Sequence, residues 1–305
     1  MTPKLNYFIV GAPKCGTTSL FYYLTQHPNV YDPGWKEANY FCTDFPGVRA
    51  FRTQEAYEQL FSRVNQEHLA VGEASIMYMY SKNALQLIHE MNPDAKIVLV
   101  LRDPVSLVHS FHSQLLGTLF ESEQDFEKAW RLQETRAEGN RIPKRCKEPL
   151  FLQYKEIGLL GKYLSKVLEV FPREQVKLFF IEDLKSDSRK VYDDLLSFLE
   201  LPPFPDVNLQ VLNESHAHRS VLAAHAIEIL IGSRFYSFLS KVKRRFPFGR
   251  IRIREKLKDA NRTTVQRKTL SPEFTQELTE VFAEDIQLLA QQTGRNLDHW
   301  LSPTK

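Results

Sequence analysis

Apolar residues fall along this chain in short unbroken runs divided by stretches of mixed character. Tyr7–Val10, Lys96–Leu101 and Val176–Ile181 are rich in aliphatic, β-branched and aromatic side chains, the pattern of strands buried on both faces. Weaker runs at Asn29–Tyr31 and Leu69–Gly72 predict two more strands. Between them, Thr18–Gln26, Lys82–Met91 and Leu160–Val170 read as helices. Strand and helix in alternation predict an α/β fold, three layers with a central parallel sheet flanked by helices. Such sheets bind ligands at the carboxyl ends of their strands, which puts the Gly11–Thr18 loop, Glu73 and Arg102 on one edge. From Leu209 onward no strong strand pattern remains. Ser220–Ser240 and Pro272–Gln292 read as helices, the second opening on Ser271-Pro272-Glu273. The expectation is one domain over 1–305, with a core of about 5–201 and a mostly helical C-terminal part of about 209–305.

The 305 residues are 43% hydrophobic and 25% charged, enough apolar mass for a sizeable core. A net charge of +3 is too mild for a nucleic-acid partner, so any basic site for an anion must be local. Cys15, Cys42 and Cys146 are far apart, make no disulfide framework and favour a reducing compartment. No His/Cys/Asp cluster has ligand spacing, so no metal is expected. With no signal peptide, no apolar run of membrane length and a first strand starting near Met1, the protein is expected to be cytoplasmic. Lys241–Arg254 (KVKRRFPFGRIRIR) interleaves basic residues with aromatic and aliphatic ones. It reads as a solvated basic loop, as a flap over an anionic ligand, or as a contact with a membrane surface. Nothing in the pattern fixes an oligomeric state.

The richest stretch is Tyr7–Leu24, YFIVGAPKCGTTSLFYYL, a strand running through a loop into a helix. The amides of the turn and of the next helix's first turn converge where the helix dipole favours negative charge. Lys14 adds a cation, and Thr17, Thr18 and Ser19 add hydroxyl donors. Gly11 and Gly16 have the separation of a G-x-x-x-x-G-K-[ST] phosphate loop, but Thr17 stands where that motif has its lysine. The lysine has moved inside the loop, which predicts a phosphate-like ligand and argues against a metal-dependent NTPase. A second anion signal follows at Lys96–His112, where Arg102-Asp103-Pro104 ends a strand and Ser110 lies about two helical turns further on. An arginine fork suits a terminal phosphate, and a hydroxyl supplies one more donor.

Pro13-Lys14-Cys15-Gly16-Thr17-Thr18-Ser19-Leu20 resembles the 5′-phosphosulfate loop of the sulfotransferases that use 3′-phosphoadenylyl sulfate (PAPS). Arg102 with Ser110 resembles their 3′-phosphate motif. Trp35-Lys36-Glu37-Ala38-Asn39-Tyr40-Phe41 resembles the K-E-P-x-F-F segment of glycosaminoglycan and related bacterial sulfotransferases, with Ala38 in place of the proline. That resemblance makes Glu37 the general base and Lys36 a source of positive potential beside the sulfuryl oxygens. Gly72-Glu73-Ala74-Ser75 resembles the family's G-E-K-[ST]-P-x-Y strand end, departs from it at Ala74 and Ile76, and places Glu73 and Ser75 beside the substrate cleft. Gly158–Tyr163 (GLLGKY) resembles a G-x-Y-x-x-x-L helix whose start closes over the adenosine, although core packing explains that helix as well. The resemblance covers Tyr7–Leu201, and the GRNLDHWL tail is typical of bacterial members. It implies a P-loop-like PAPS-dependent sulfotransferase with PAP as product and no metal. The cofactor would be held by Lys14, Cys15, Gly16, Thr17, Thr18, Ser19, Arg102, Ser110, Tyr163 and Arg219. The acceptor would be a small molecule, glycan or lipid offering a hydroxyl or amine, a glycan or glycolipid first among them.

Several residues read two ways. His109 and His112, on the helix of Ser110, are alternative bases or packing residues. His216, His218 and Arg219 fall in a loop within reach of the cofactor. Trp35, Tyr40, Phe41, Tyr78 and Tyr80 suit a sugar or lipid-linked acceptor and a packed core equally. Leu20 stands where the cytosolic small-molecule sulfotransferases have a tryptophan, and Arg267-Lys268-Thr269 is a poor match to their Arg-Lys-Gly motif. Two other classes stay open. One is a nucleotide kinase or NTPase, short of its lysine; the other is a non-catalytic nucleotide-binding module.

Overall fold

The computed structural model describes residues 4–210 and 268–302, with the backbone of two further strands at His216–His218 and Arg262–Thr264. Arg219, the Ser220–Ser240 helix and the basic Lys241–Arg254 segment lie outside the described residues. The first apolar run forms β1 (Tyr7–Gly11), buried at every position as a strand covered on both faces must be. It pairs in parallel with β2 (Gly72–Ala74) on one side and with β3 (Lys96–Leu101) on the other. Outside β3 lies β4 (Val176–Phe180), also parallel, giving the order β2-β1-β3-β4. The weak run at Asn29–Tyr31 supplies only a single parallel bridge, Val30 to Ala70. β4 stops before Ile181, which opens a helix.

The order makes β1 and β3 the switch point, because the chain leaves β1 to one side for β2 and returns on the other for β3. A crevice at their carboxyl ends is the expected ligand position. Pairing slips from Ile9↔Val98 to Gly11↔Leu99, so Val10 bulges at the end of β1. The Met79 amide takes the Val10 carbonyl at 3.2 Å, and the Ala12 amide donates to the Val100 carbonyl at 2.9 Å. The following loop therefore departs from a point fixed on both sides.

The helices are α1 (Thr17–Leu24), α2 (Gln54–Glu58), α3 (Ala84–Met91), α4 (Pro104–Thr118), α5 (Phe126–Arg131), α6 (Gln133–Ala137), α7 (Tyr154–Gly158), α8 (Leu160–Val170), α9 (Ile181–Ser186), α10 (Ser188–Phe198) and α11 (Pro272–Thr293). α4 begins where Asp103 accepts the amides of Val105 (3.2 Å) and Ser106 (2.9 Å), with Pro104 in its first turn. α11 starts where the Ser271 hydroxyl accepts the Phe274 amide, and its buried stripe of Phe274, Leu278, Phe282, Ile286 and Leu289 packs on α7 and α8. No helix among the described residues is long and apolar enough to cross a membrane.

Two glycines permit that docking. A Cβ on Gly158 would lie 2.5 Å from the Phe282 ring, and one on Gly161 would lie 2.5 Å from the Asp285 carbonyl. In return the Asp285 carboxylate accepts the amides of Gly161 (2.7 Å) and Lys162 (2.8 Å), capping α8 from the neighbouring helix. Beyond α11, Arg295 forks onto Asp183 and lies 4.0 Å over the Phe180 ring, which anchors the GRNLDHWL tail beside β4. The C-terminal part is not wholly helical. β5 (His216–His218) and β6 (Arg262–Thr264) pair antiparallel, so the two histidines expected in a loop stand on a strand. Three mainly polar residues are too few to show an alternation of two.

Candidate active site

Gly16 caps α1 in the left-handed region (φ 92°, ψ 8°), and a Cβ there would also meet Leu184 Cδ2 at 2.8 Å. Both constraints select glycine. Gly16 offers no side-chain cap and no acid stands in the first turn of α1, so its N-terminal end is set for an anion. Lys14 is left-handed too (φ 61°), and Arg102 Nη1–H donates to its carbonyl oxygen at 3.1 Å. The arginine that ends β3 thus touches the loop that ends β1, and the two anion motifs become one surface. Thr17 and Ser19 are buried and Thr18 is half-buried. Cys15 is buried, its thiol donates to the Pro13 carbonyl at 3.2 Å, and burial pushes that thiol far up. Its side chain fills the loop and is no reactive thiolate. Ser110 is buried on α4.

The 36–40 segment lies against the strand end 73–78. Glu37 (φ 64°) and Asn39 (φ 49°) both adopt the left-handed conformation that non-glycine residues avoid. The Glu37 amide donates to the Ala74 carbonyl at 2.9 Å, and its Oε2 accepts the Ile76 amide at 3.0 Å. Lys36 Nζ pairs with Oε1. The carboxylate is a third exposed and keeps acceptor sites open to solvent. Behind it Glu73 and Ser75, expected beside the substrate cleft, are buried, at 1% and 0% exposure. Glu73 Oε1 accepts the hydroxyls of Tyr57 and Tyr78, each at 2.6 Å, and Oε2 accepts Ser75 at 2.7 Å. Burial pushes this carboxyl above the usual glutamate range, and the three hydroxyl donors offset only part of that rise. The Ser75 amide donates to the Ile9 carbonyl at 3.0 Å, so the segment holding Glu37 is tied to the strand that launches the anion loop.

Other expected residues have different company. His109 stacks on Phe126, with ring centroids 5.4 Å apart. His112 is buried, its Nε2 meets the Glu123 carbonyl at 2.8 Å, and burial pulls its pKa down. The Tyr163 hydroxyl donates to Glu156 at 2.6 Å, and its ring meets Tyr80 edge-on at 4.6 Å. Phe41, Tyr78 and Tyr80 belong to the core, whereas Trp35 is 48% exposed and leans edge-on against Phe51. All three cysteines are unbridged. Tyr57 and the amide-accepting role of the Tyr78 hydroxyl are what the sequence hid, since a buried tyrosine reads as core until its hydroxyl is seen on Glu73.

Fold and loop together define an α/β protein whose strand–loop–helix turn has the glycine spacing of a phosphate loop but not the NTPase lysine. Residues 5–225 match the family model for the sulfotransferase domain, and the chain belongs to that family. It is 28% identical to a sulfotransferase of known crystal structure from Alicyclobacillus acidocaldarius, over 98% of this chain and 100% of that one, with a TM-score of 0.70. It is 26% identical over 269 residues to carbohydrate sulfotransferase 15 of Mus musculus, covering 70% of this chain and 46% of the relative. It is 27% identical over 208 residues to bifunctional heparan sulfate N-deacetylase/N-sulfotransferase 1 of Caenorhabditis briggsae, covering 65% and 23%. The chain thus spans about half or less of the length of these two curated relatives.

Proposed function

We propose that this protein moves a sulfuryl group from PAPS to a hydroxyl or amine of an acceptor, with Glu37 as the proton acceptor. The observation that carries the reading is the Arg102–Lys14 contact, which sets a second cation beside the α1 cradle, as a donor with phosphates at both its 5′ and 3′ positions requires. The cradle fits such a group: it is glycine-shaped, free of acids in the helix's first turn, and lined by Lys14, Thr17 and Thr18. When PAPS is bound it supplies an activated sulfuryl group on a good leaving group. The acceptor's lone pair forms the new bond to sulfur, the bond from sulfur to the 5′-phosphate oxygen breaks with its electron pair going to PAP, and the acceptor proton passes to Glu37. Lys14 and the loop amides stabilise charge on the sulfuryl and bridging oxygens without reorganising. A carbohydrate sulfotransferase and a heparan sulfate N-deacetylase/N-sulfotransferase among the relatives support a glycan or glycolipid as acceptor, and Trp35, two residues before Glu37, offers an exposed apolar face.

Calorimetry with PAP against ATP plus magnesium tests the donor. PAP should bind and ATP should not compete; a preference for ATP overturns the reading. In an assay with labelled PAPS and a panel of glycans, lipids and alcohols, Glu37→Gln should lower kcat by about 10²–10⁴-fold with PAP affinity unchanged. Full turnover in that variant removes Glu37 as the base.

A further inference from the structure

The segment that carries Glu37 is improbable on its own, with two non-glycine residues in the left-handed region within three positions. Such a conformation persists only where the surroundings over-determine it. Two backbone amides, those of Asn39 and Tyr40, show what does so. The Asn39 amide donates to Ser75 Oγ at 3.0 Å, and the Tyr40 amide donates to the Tyr78 hydroxyl oxygen at 3.0 Å. A hydroxyl carries one proton, and that proton can point either way. Here both protons are committed to Glu73, from Ser75 at 2.7 Å and from Tyr78 at 2.6 Å. A carboxylate only accepts. It therefore turns both hydroxyl protons toward itself and leaves both oxygens facing the two amides.

The geometry points to Glu73 as a positioning residue for Glu37, acting through the Ser75 and Tyr78 hydroxyls that it orients. Glu73 is buried in the middle of β2, and both of its carboxylate oxygens are taken by hydroxyls of the protein. Its effect reaches Glu37 through the backbone of 37–40, where the Asn39 side-chain amide also donates to the Glu37 carbonyl at 3.2 Å. The inference rests on the reading of Glu37 as base; the arrangement of the bonds does not.

Tyr57 supplies the internal control. Its hydroxyl gives the same carboxylate oxygen a bond of the same 2.6 Å length, but among the described residues it accepts no amide of the 37–40 segment. Its ring stacks on Tyr40 at 4.1 Å, a contact that phenylalanine keeps. If Glu73 merely stabilises the fold, Tyr57→Phe and Tyr78→Phe should behave alike. If it positions Glu37, they should differ.

The experiment measures three things for Tyr57→Phe, Tyr78→Phe and Ser75→Ala: hydrogen exchange across residues 36–41, affinity for PAP by calorimetry, and kcat with labelled PAPS. Tyr78→Phe and Ser75→Ala should speed exchange at Tyr40 and Asn39 respectively. Each should lower kcat by about tenfold or more while PAP affinity stays within about twofold. Tyr57→Phe should leave exchange and kcat within about twofold of the unsubstituted protein. Equal losses in all three overturn the proposal, as does unchanged kcat in variants whose segment exchanges faster. Glu73→Gln places a donor where only an acceptor fits and should lose at least as much as Tyr78→Phe; should it fail to fold, the three variants still decide. Absence of PAP binding or transfer by the unsubstituted protein would overturn the reading of function instead. The exchange results would then still show whether Glu73 orders the segment.

Discussion

The Arg102 guanidinium holds the carbonyl of Lys14, so the left-handed turn of the loop depends on a side chain 88 residues away. Arg102→Ala removes both that clamp and a charged fork. A hydrogen bond to a charged group contributes about 1.5–3 kcal/mol. The affinity for PAP should therefore fall by about ten- to a hundredfold, and Arg102→Lys should recover only part of it, since an ammonium has no planar fork. Calorimetry reads both, and unchanged affinity in the alanine variant would take Arg102 out of the site. Lys14, Glu37 and Arg102 stand out as candidates in the sequence because each sits in a spacing whose chemistry is recognisable without a fold. Glu73 was legible as a residue of interest but not in its place, because an acidic side chain is expected near water. Only the convergence of three hydroxyls from positions 57, 75 and 78 explains why it is buried.

Among the elements, β3 and α8 have the limits their periodicity predicts, Lys96–Leu101 and Leu160–Val170, because both are long apolar patterns with clear ends. β2 slid from Leu69–Gly72 to Gly72–Ala74. Its limits follow from pairing with β1 rather than from its own composition, and a three-residue strand has almost no periodic signal. The junction of α8 with α11 was likewise outside what a local pattern can show, because the glycines there answer to a helix more than a hundred residues later. Alanine in a helix normally gains up to about 1 kcal/mol over glycine. At Gly161 the added methyl meets backbone atoms of Asp285 and Leu289, which cannot swing aside. Gly161→Ala should therefore lower stability by about 1–3 kcal/mol. Urea unfolding would show it as an earlier midpoint, and a later midpoint would contradict the close packing of the two helices.

At the scale of the whole molecule, one buried ion pair ties the loop that follows α4 to α6 and α7. Arg136 forks onto Glu121 at 2.7 Å through both nitrogens, and the Tyr154 hydroxyl reaches the same carboxylate at 2.7 Å. Burial alone would raise this carboxyl, but Arg136, the Glu123 amide and Tyr154 outweigh it and hold it below the usual glutamate range. The unfolded chain then binds the proton more readily than the folded one across that interval. The stabilisation is present above the ordinary glutamate value and is lost as pH falls through the lower, folded one. Glu121→Gln leaves Arg136 without its counter-charge and should cost about 3–5 kcal/mol at neutral pH. The deficit should shrink in acid, and denaturant melts at pH 7 and pH 3 would measure it. The anion cradle has its own consequence for how the molecule assembles. Its floor comes from β1 and its clamp from the end of β3, so it does not exist until strands distant in the chain have paired. A ligand for it can recognise only the finished sheet, and so slows unfolding while leaving the folding rate alone.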